Sequence, residues 1–253
     1  MKLALVGTGQ MGQAVARVAS DREHEVVAQF DSGRPLLQAS PSALEGAEVA
    51  IDFSLPSLAL DHIRRYCEWQ QPAVVGTTGW YDEMEAVEQL VANHHASLIY
   101  APNFSLGVAV VRRALEAIAP LLNELDDYDP FIQEVHHTNK VDSPSGTAHM
   151  LGDLLVEALD RKSHVEPETQ HQRIDPEAVH VTSTRAGSVF GEHTVTVDGP
   201  YDQIAVEHRA KNRRGFASGA VRAAEWLSGR QGLFTLKDVL QDWLADERES
   251  TVS

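Results

Sequence analysis

The sequence is short of positive charge, of cysteine and of long apolar stretches. Five of its 21 basic residues are lysines, against 37 acidic residues, and the formal net charge is −16. A surface of that sign repels a phosphate backbone, so nucleic-acid binding is not expected. Its acid excess fits either a salt-adapted protein or an ordinary acidic enzyme. The single cysteine, Cys67, rules out an intramolecular disulfide, and it reads as a small buried hydrophobe in a helix. No run of about 18 apolar residues occurs, so no membrane span is expected. The start reads as a strand and not as a secretory leader, which points to a cytoplasmic chain. Neither Cys-x-x-Cys nor His-Glu-x-x-His is present. The adjacent pairs His94-His95 and His136-His137 would point to opposite faces of a strand, so no metal is expected.

What is present begins at residue 2. An apolar strand runs into Gly7-Thr8-Gly9-Gln10-Met11-Gly12, and a helix follows with Met11, Val15, Val18 and Ala19 on one side. A second strand, Glu25 to Phe30, ends at Asp31, 19 positions after the last glycine. Strand, glycine turn, helix and acid in this order make a dinucleotide fingerprint. The glycines let the backbone approach a pyrophosphate, the helix start offers N–H groups to phosphate, and Asp31 would accept from a ribose hydroxyl. Strands and helices go on alternating to Tyr100, which predicts a parallel, doubly wound sheet. Gly76-Thr77-Thr78 and Ala101-Pro102-Asn103-Phe104 fall at strand ends, on the rim where such sheets bind ligands.

The pattern changes near residue 105. A long helix, Leu106 to Leu122, precedes a strand, Asp129 to His137, and a helix over 146–159. The polar stretch 160–179 reads as a long loop. Three consecutive strands follow, and His193, Val195 and Val197 alternate with Thr194 and Thr196, so this sheet has two unlike faces. Helices are expected at Phe216 to Leu227 and Leu236 to Leu244, with a frayed tail from Ala245. A Rossmann-type α/β domain over 1–104 and a second α+β domain with an open mixed sheet over 105–215 account for this order.

Between strand and helix of the second domain lies Glu134-Val135-His136-His137-Thr138-Asn139-Lys140-Val141-Asp142-Ser143-Pro144-Ser145-Gly146-Thr147-Ala148. Pro144 delays the helix and Ser145 is placed to cap it. His136 and Lys140 are candidate proton donors, and His137, Gly146 and Thr147 can hold a carboxylate near the helix start. Titratable groups that converge on one anion-binding loop mark a catalytic site for a small carboxylate. Asp142 either orients Lys140 or stabilises the turn. Arg185 and His193 either line the same face or pack the sheet. Lys211, Arg213 and Arg214 form either a solvated turn or a cofactor contact.

The glycine loop, Gly76-Thr77-Thr78-Gly79, Ala101-Pro102-Asn103-Phe104-Ser105-Leu106-Gly107, the double-histidine run, Arg185-Ala186-Gly187, Gly191-Glu192-His193-Thr194 and Phe216-Ala217-Ser218-Gly219-Ala220 occur in this order over nearly the whole chain. Together they resemble the dihydrodipicolinate reductase family of lysine and diaminopimelate biosynthesis. The resemblance implies reduction of a dihydrodipicolinate-type dicarboxylate by NADH or NADPH. It implies His136 as proton donor or acceptor, Lys140 as proton donor, and substrate contacts from His137, Gly146 and Thr147. It makes Gly76, Thr77, Thr78, Ala101, Pro102, Asn103 and Phe104 cofactor contacts. It also implies that 216–253 packs back on the first domain and that the chain assembles as a homotetramer. Ser143 stands where the family usually has Ala, and Gln10 where many members have Arg. Asp31 would repel a 2′-phosphate and so favours NADH, while Arg34 could offset that charge. Another two-domain Rossmann dehydrogenase, or an NAD-sensing regulator, would share the first domain and leave the 134–148 run unexplained.

Overall fold

The computed structural model describes residues 1–251, with side chains described as far as Ala245. The chain forms two compact units, Met1–Leu106 with Arg213–Ser253, and Gly107–Asn212.

The first unit is built on a six-stranded parallel sheet. Its strands are β1 (Lys2–Val6), β2 (Glu25–Phe30), β3 (Val49–Asp52), β4 (Ala73–Val75), β5 (Ser97–Tyr100) and β11 (Gly232–Thr235). Their order across the sheet is β11-β5-β4-β3-β1-β2. Strands β1, β3 and β4 are buried along their length apart from Lys2, which is why they read as unbroken apolar runs. Helices α1 (Gln10–Asp21), α2 (Pro56–Glu68), α3 (Met84–His94), α6 (Arg214–Leu227) and α7 (Leu236–Thr251) complete the unit. Ala59, Ile63, Tyr66 and Cys67 bury the α2 face against the sheet core, and Val87 and Val91 do so for α3. Two expectations change here. Strand β11 was not foreseen, although it pairs in parallel with β5. Helix α7 continues to Thr251, through most of the stretch expected to fray, and residues 252–253 lie outside the described residues.

The second unit carries a five-stranded mixed sheet, ordered β10-β9-β6-β8-β7. Its strands are β6 (Asp129–His136), β7 (His164–Glu166), β8 (Ala178–Arg185), β9 (Glu192–Asp198) and β10 (Gln203–Arg209). β6 runs parallel to β8 and antiparallel to β9. β7 is a correction to the loop expected over 160–179, since it pairs with β8. Helices α4 (Leu106–Asn123) and α5 (Gly146–Ala158) contribute Val111, Leu115, Leu122, Leu151 and Leu155 to a core with Ile132, Val179, Val181, Val195 and Val197. Period-two alternation then fixes the other residues of that face. Glu134 and His136 follow Ile132, Arg185 follows Val181 two steps on, and His193 precedes Val195. The opposite face presents Gln133, Thr182 and Thr184 to solvent.

Candidate active site

Two sites emerge, one in each unit. In the first, β1 delivers the glycine turn and α1 starts directly after it, with Gly9 at the N-cap. Gly7 has φ +92°, and a Cβ on it would collide with the Phe53 carbonyl; a Cβ on Gly12 would collide with the Gly7 carbonyl. Nothing lies within 4 Å of the position a Gly9 Cβ would take. The turn is thus closed on its inner side and open at its tip. No acidic residue occupies the first turn of α1, so the helix start keeps its attraction for anions. Gln10 and Gly9 are exposed, and Met11 is half-buried.

Asp31 lies at the end of β2, next to that turn. Thr8 Oγ1 donates to its Oδ2 at 2.9 Å, and the Gly33 and Arg34 amides donate to its Oδ1 at 2.8 and 3.2 Å. The Gly33 amide, Thr8 hydroxyl and Arg34 amide hold the carboxyl below its ordinary value. The Arg34 guanidinium stacks 4.9 Å from the Phe30 ring centre and donates to Ala43 O and Glu45. Arg17, unassigned from sequence, lines a cavity of about 270 Å³ with Thr8, Gly12 and Gln13.

On the same rim the strand-end segments are fixed from below. Asp52, wholly buried at the end of β3, accepts from Tyr66 Oη at 2.8 Å, Thr77 Oγ1 at 3.0 Å and the Ser54 amide at 2.9 Å, and it lies 2.9 Å from His62 Nδ1. Burial pushes this carboxyl up, and the His62, Ser54 and Tyr66 contacts more than reverse that. The Thr77 hydroxyl is committed to this network, and Thr77 O accepts from Trp80 Nε1 at 2.8 Å. Thr78 and Pro102 are exposed, Gly76 and Asn103 are half-buried, and Ala101 and Phe104 are core residues. Asn103 Oδ1 accepts from the Ser105 amide at 2.8 Å.

The second site lies at the C-terminal end of β6. Glu134 is 1 % exposed and is the centre of the group. Arg185 Nη2 on β8 donates to its Oε1 at 2.7 Å, and the Ser145 amide donates to the same oxygen at 3.1 Å. His136 Nδ1 lies 2.7 Å and His193 Nε2 3.7 Å from its Oε2. Ser145 caps α5, its Oγ accepting from the Ala148 amide at 3.2 Å while lying 3.0 Å from His193 Nε2. The helix therefore starts where the sequence predicted, after a cis Ser143–Pro144 bond. Gly146 and Thr147 form its first turn, in which helix N–H groups lack intrahelical acceptors. Lys140 Nζ grips both Asp142 oxygens at 2.7 and 2.8 Å, and Arg185 Nη2 also donates to Asp142 O at 2.6 Å. His137 is half-buried; its amide donates to Val189 O at 2.7 Å, and its Nδ1 is buried without a hydrogen bond.

Burial pushes Glu134 up, but the Ser145, Ser183 and Arg185 hydrogen bonds and the His136 charge bring it to about 2. Burial pulls His136 down, Glu134 opposes this, and Lys140 and Arg185 add to it. Burial and then the His136 charge pull His193 down to about 4. Among the described residues, the donor atoms of Glu134, His136 and His193 lie within 4.8 Å of one another. A guanidinium already sits on that carboxylate and would repel a second cation, so we assign no metal here. The structure thus gathers His136, His137, Lys140, Gly146 and Thr147 on one loop and helix start, and adds Glu134, Arg185 and His193. Glu134 was missed as a site residue. Its signal was the alternation that puts it on the buried face with Ile132 and His136. Asp142 is the Lys140 partner, and Arg214 pairs with Asp21, leaving α6 anchored to the end of α1.

A family model for the N-terminus of dihydrodipicolinate reductase matches residues 1–104, and one for the C-terminus of the same enzyme matches residues 107–240. A 4-hydroxy-tetrahydrodipicolinate reductase of Christiangramia forsetii is 38 % identical over 96 % of this chain and 98 % of its own. Another, of Chromobacterium violaceum, is 39 % identical over 79 % of this chain and 75 % of its own. Among solved structures, a dipicolinate-bound dihydrodipicolinate reductase from Paenisporosarcina sp. TG-14 superposes with a TM-score of 0.75 at 22 % identity, covering 93 % of this chain and 97 % of its own. GenD2 from gentamicin A biosynthesis, in complex with NAD, shares the fold at a TM-score of 0.58 and 10 % identity, over 90 % of this chain and 86 % of its own. The turn chemistry of the first unit, the double-histidine loop of the second and matches that run the length of both place the chain in the dihydrodipicolinate reductase family.

Proposed function

We propose that this chain reduces 4-hydroxy-tetrahydrodipicolinate (dihydrodipicolinate in its dehydrated form) to tetrahydrodipicolinate, in lysine and diaminopimelate biosynthesis, using NADH or NADPH. Family membership supports the reaction. The observation that carries the assignment of residues is the convergence of His136, His137, Lys140 and the α5 start around the buried Glu134–Arg185 pair.

A nicotinamide cofactor, when bound, supplies the hydride. Gly7 to Gly12 would receive its pyrophosphate at the α1 start, and Asp31 its adenosine ribose, with Gly76, Thr77, Thr78, Ala101, Pro102, Asn103 and Phe104 forming the rest of the site. Because the Thr77 hydroxyl is held by Asp52, Thr77 would contribute backbone groups only. Asp31 is ionised, and Arg34 is turned to Phe30, Ala43 and Glu45. These support a preference for NADH.

Loss of the 4-hydroxyl as water gives the dihydrodipicolinate form, and its reduction adds one hydride and one proton, so the protein must supply the proton. His136 and Lys140 are the donors in this reading. His137, Gly146 and Thr147 bind carboxylate, the last two with the positive end of α5. A dianionic substrate brings negative charge to His136, whose proton affinity is depressed by burial. Substrate binding would therefore load the donor. The half-buried or exposed outer face of the second sheet, with Phe131, Gln133 and Val135, supports assembly as a homotetramer. No described helix is long and apolar enough to cross a membrane, and the biosynthetic role supports a cytoplasmic location.

The deciding experiment follows oxidation of NADH and NADPH with substrate made in situ from pyruvate and aspartate semialdehyde. Substrate-dependent oxidation is expected, faster with NADH. A protein that binds the cofactor but never oxidises it under these conditions, at low or high salt, would sink the proposal.

A further inference from the structure

The most buried charge of the second unit belongs to a residue that the proposed reaction does not use. Glu134 makes no contact with solvent to speak of, at 1 % exposed, yet its two oxygens are divided with a clear purpose. Oε1 takes the Arg185 guanidinium and the Ser145 amide, which anchor it to β8 and to the start of α5. Oε2 faces the imidazoles of His136 and His193, at 2.7 and 3.7 Å, and its contact with His136 Nδ1 is a close ion pair and not an aligned hydrogen bond. A buried ionised carboxylate is costly, and Arg185 offsets that cost without taking the oxygen that faces His136. Gly191, with φ +148°, faces the other side of the His136 ring, and its lack of a side chain keeps space beside Nε2, where an added Cβ would fall 2.8 Å away. The His193 ring meets that of His136 edge to face at 5.1 Å. The ring is thus confined by β6, β9 and the turn before β9.

We infer that Glu134 is a positioning residue for the reduction, which fixes the His136 ring through Nδ1 so that Nε2 is the nitrogen left for proton transfer. This rests on the reading of His136 as proton donor. The charged and titratable groups around that ring are Glu134 from β6, Arg185 from β8, His193 from β9, with His208 of β10 acting on His193, and Lys140 with Asp142 from the loop after β6. Of these, Glu134 is the group that draws a proton to the ring and contacts it directly, and its pull outweighs the push of Lys140 or Arg185. Carboxylate behind imidazole is a general way to select the tautomer and hold the ring.

The test compares Glu134→Gln and Glu134→Asp with the unaltered protein. Three readouts are needed: kcat and KM, the pH profile of kcat/KM, and the titration of His136 by NMR of histidine-labelled protein, assigned with His136→Gln. A protonated donor is active below its pKa, so its loss forms the alkaline limb of the profile. In Glu134→Gln, kcat should fall by ~10- to 100-fold with KM changed less than ~3-fold, and both the His136 titration and the alkaline limb should move to lower pH by about one unit. Glu134→Asp should restore most of the turnover and the original titration. If Glu134→Gln does not fold because Arg185 is left unpaired, Glu134→Gln/Arg185→Gln removes both charges, and the shift keeps its direction. A folded variant in which turnover drops while titration and limb stay put would overturn the inference and leave Glu134 a structural residue. Full turnover in His136→Gln would overturn the donor reading and this inference together. A large loss there, beside an unmoved limb in Glu134→Gln, would overturn this inference alone.

Discussion

Lys140 and Asp142 are two residues apart and grip each other through both carboxylate oxygens, at 2.7 and 2.8 Å, with Asp142 exposed and Lys140 mostly covered. The lysine is the residue that the loop shields. Arg185 binds the Asp142 carbonyl and so ties this turn to β8. Lys140→Ala should therefore remove a proton donor without moving the loop. Turnover is expected to fall by ~100-fold or more, within the range for general acids. Binding of NADH, measured by quenching of its fluorescence, should be unchanged. Asp142→Asn keeps the lysine and loosens its aim, so its loss should be smaller, about tenfold or less. Equal losses in the two variants would mean that the ion pair, and not the ammonium, is what the reaction needs.

Cofactor choice turns on the carboxylate that Thr8, Gly33 and Arg34 hold at the end of β2. A 2′-phosphate there would meet a fixed negative charge, and the Arg34 guanidinium is engaged with Glu45 and the Ala43 carbonyl. Asp31→Ser removes the repulsion. The ratio of kcat/KM for NADPH to that for NADH should rise by ~10-fold, equivalent to about 1.4 kcal/mol. An unchanged ratio would place the discrimination elsewhere, with Arg17 as the next residue to alter.

The parts of the fold with a strong period were legible in the sequence. The buried parallel strands stand out as apolar runs, and the glycine turn is fixed at Gly7 and Gly12 by sterics that no side chain satisfies. Strands β7 and β11 were not legible for a shared reason. They have three and four residues, show no alternation, and owe their pairing to neighbours that the local sequence does not reveal. In the candidate site, the loop residues could be read because they are adjacent in the chain. Glu134 was read as part of a strand leading to histidines. Its role as hub depends on Arg185 and His193, brought in by β8 and β9 from 51 and 59 residues away. Strand alternation marks each of these three as facing the core, but the pairing register that joins them is a tertiary fact. The Asp52 network was hidden in the same way, since Ser54, then His62 and Tyr66 of α2, and Thr77 converge from three segments.

That network carries a stability prediction. Asp52 is wholly buried, and each of its four partners would be left short of a contact if it were lost. Asp52→Ala should cost ~3–5 kcal/mol, the range for breaking a buried ionic or hydrogen-bonded group. Thr77→Val removes one hydroxyl and should cost about 1–2 kcal/mol. Denaturant unfolding of the two variants gives both numbers. Near-equal losses would show that the Thr77 link, and not the carboxylate, holds the rim segments together.

Acid sensitivity should follow from Glu134 and His193. The Glu134 carboxyl falls from an ordinary 4.5 to about 2 on folding. A group depressed in this way stabilises the fold above its unfolded value, and that contribution is lost as pH falls through the folded value. His193 drops from 6.5 to about 4 because burial disfavours its charged form. The unfolded chain then takes up a proton that the folded one refuses, so this contribution too is present above the unfolded value and lost on acidification. The two act in adjoining windows, His193 between about 6.5 and 4, Glu134 between about 4.5 and 2. Each is worth on the order of 3 kcal/mol by itself, and the two are coupled through their shared contact, so the sum is smaller than twice that. Unfolding free energy measured by denaturant should be flat just above neutral pH and fall steadily from pH 6.5 downward. In His193→Gln the upper part of that decline should become shallower, with His136 and His208, which burial also pulls down, supplying what is left of it, while the lower part remains. A decline of the same shape in the variant would mean that acid unfolding starts outside this cluster.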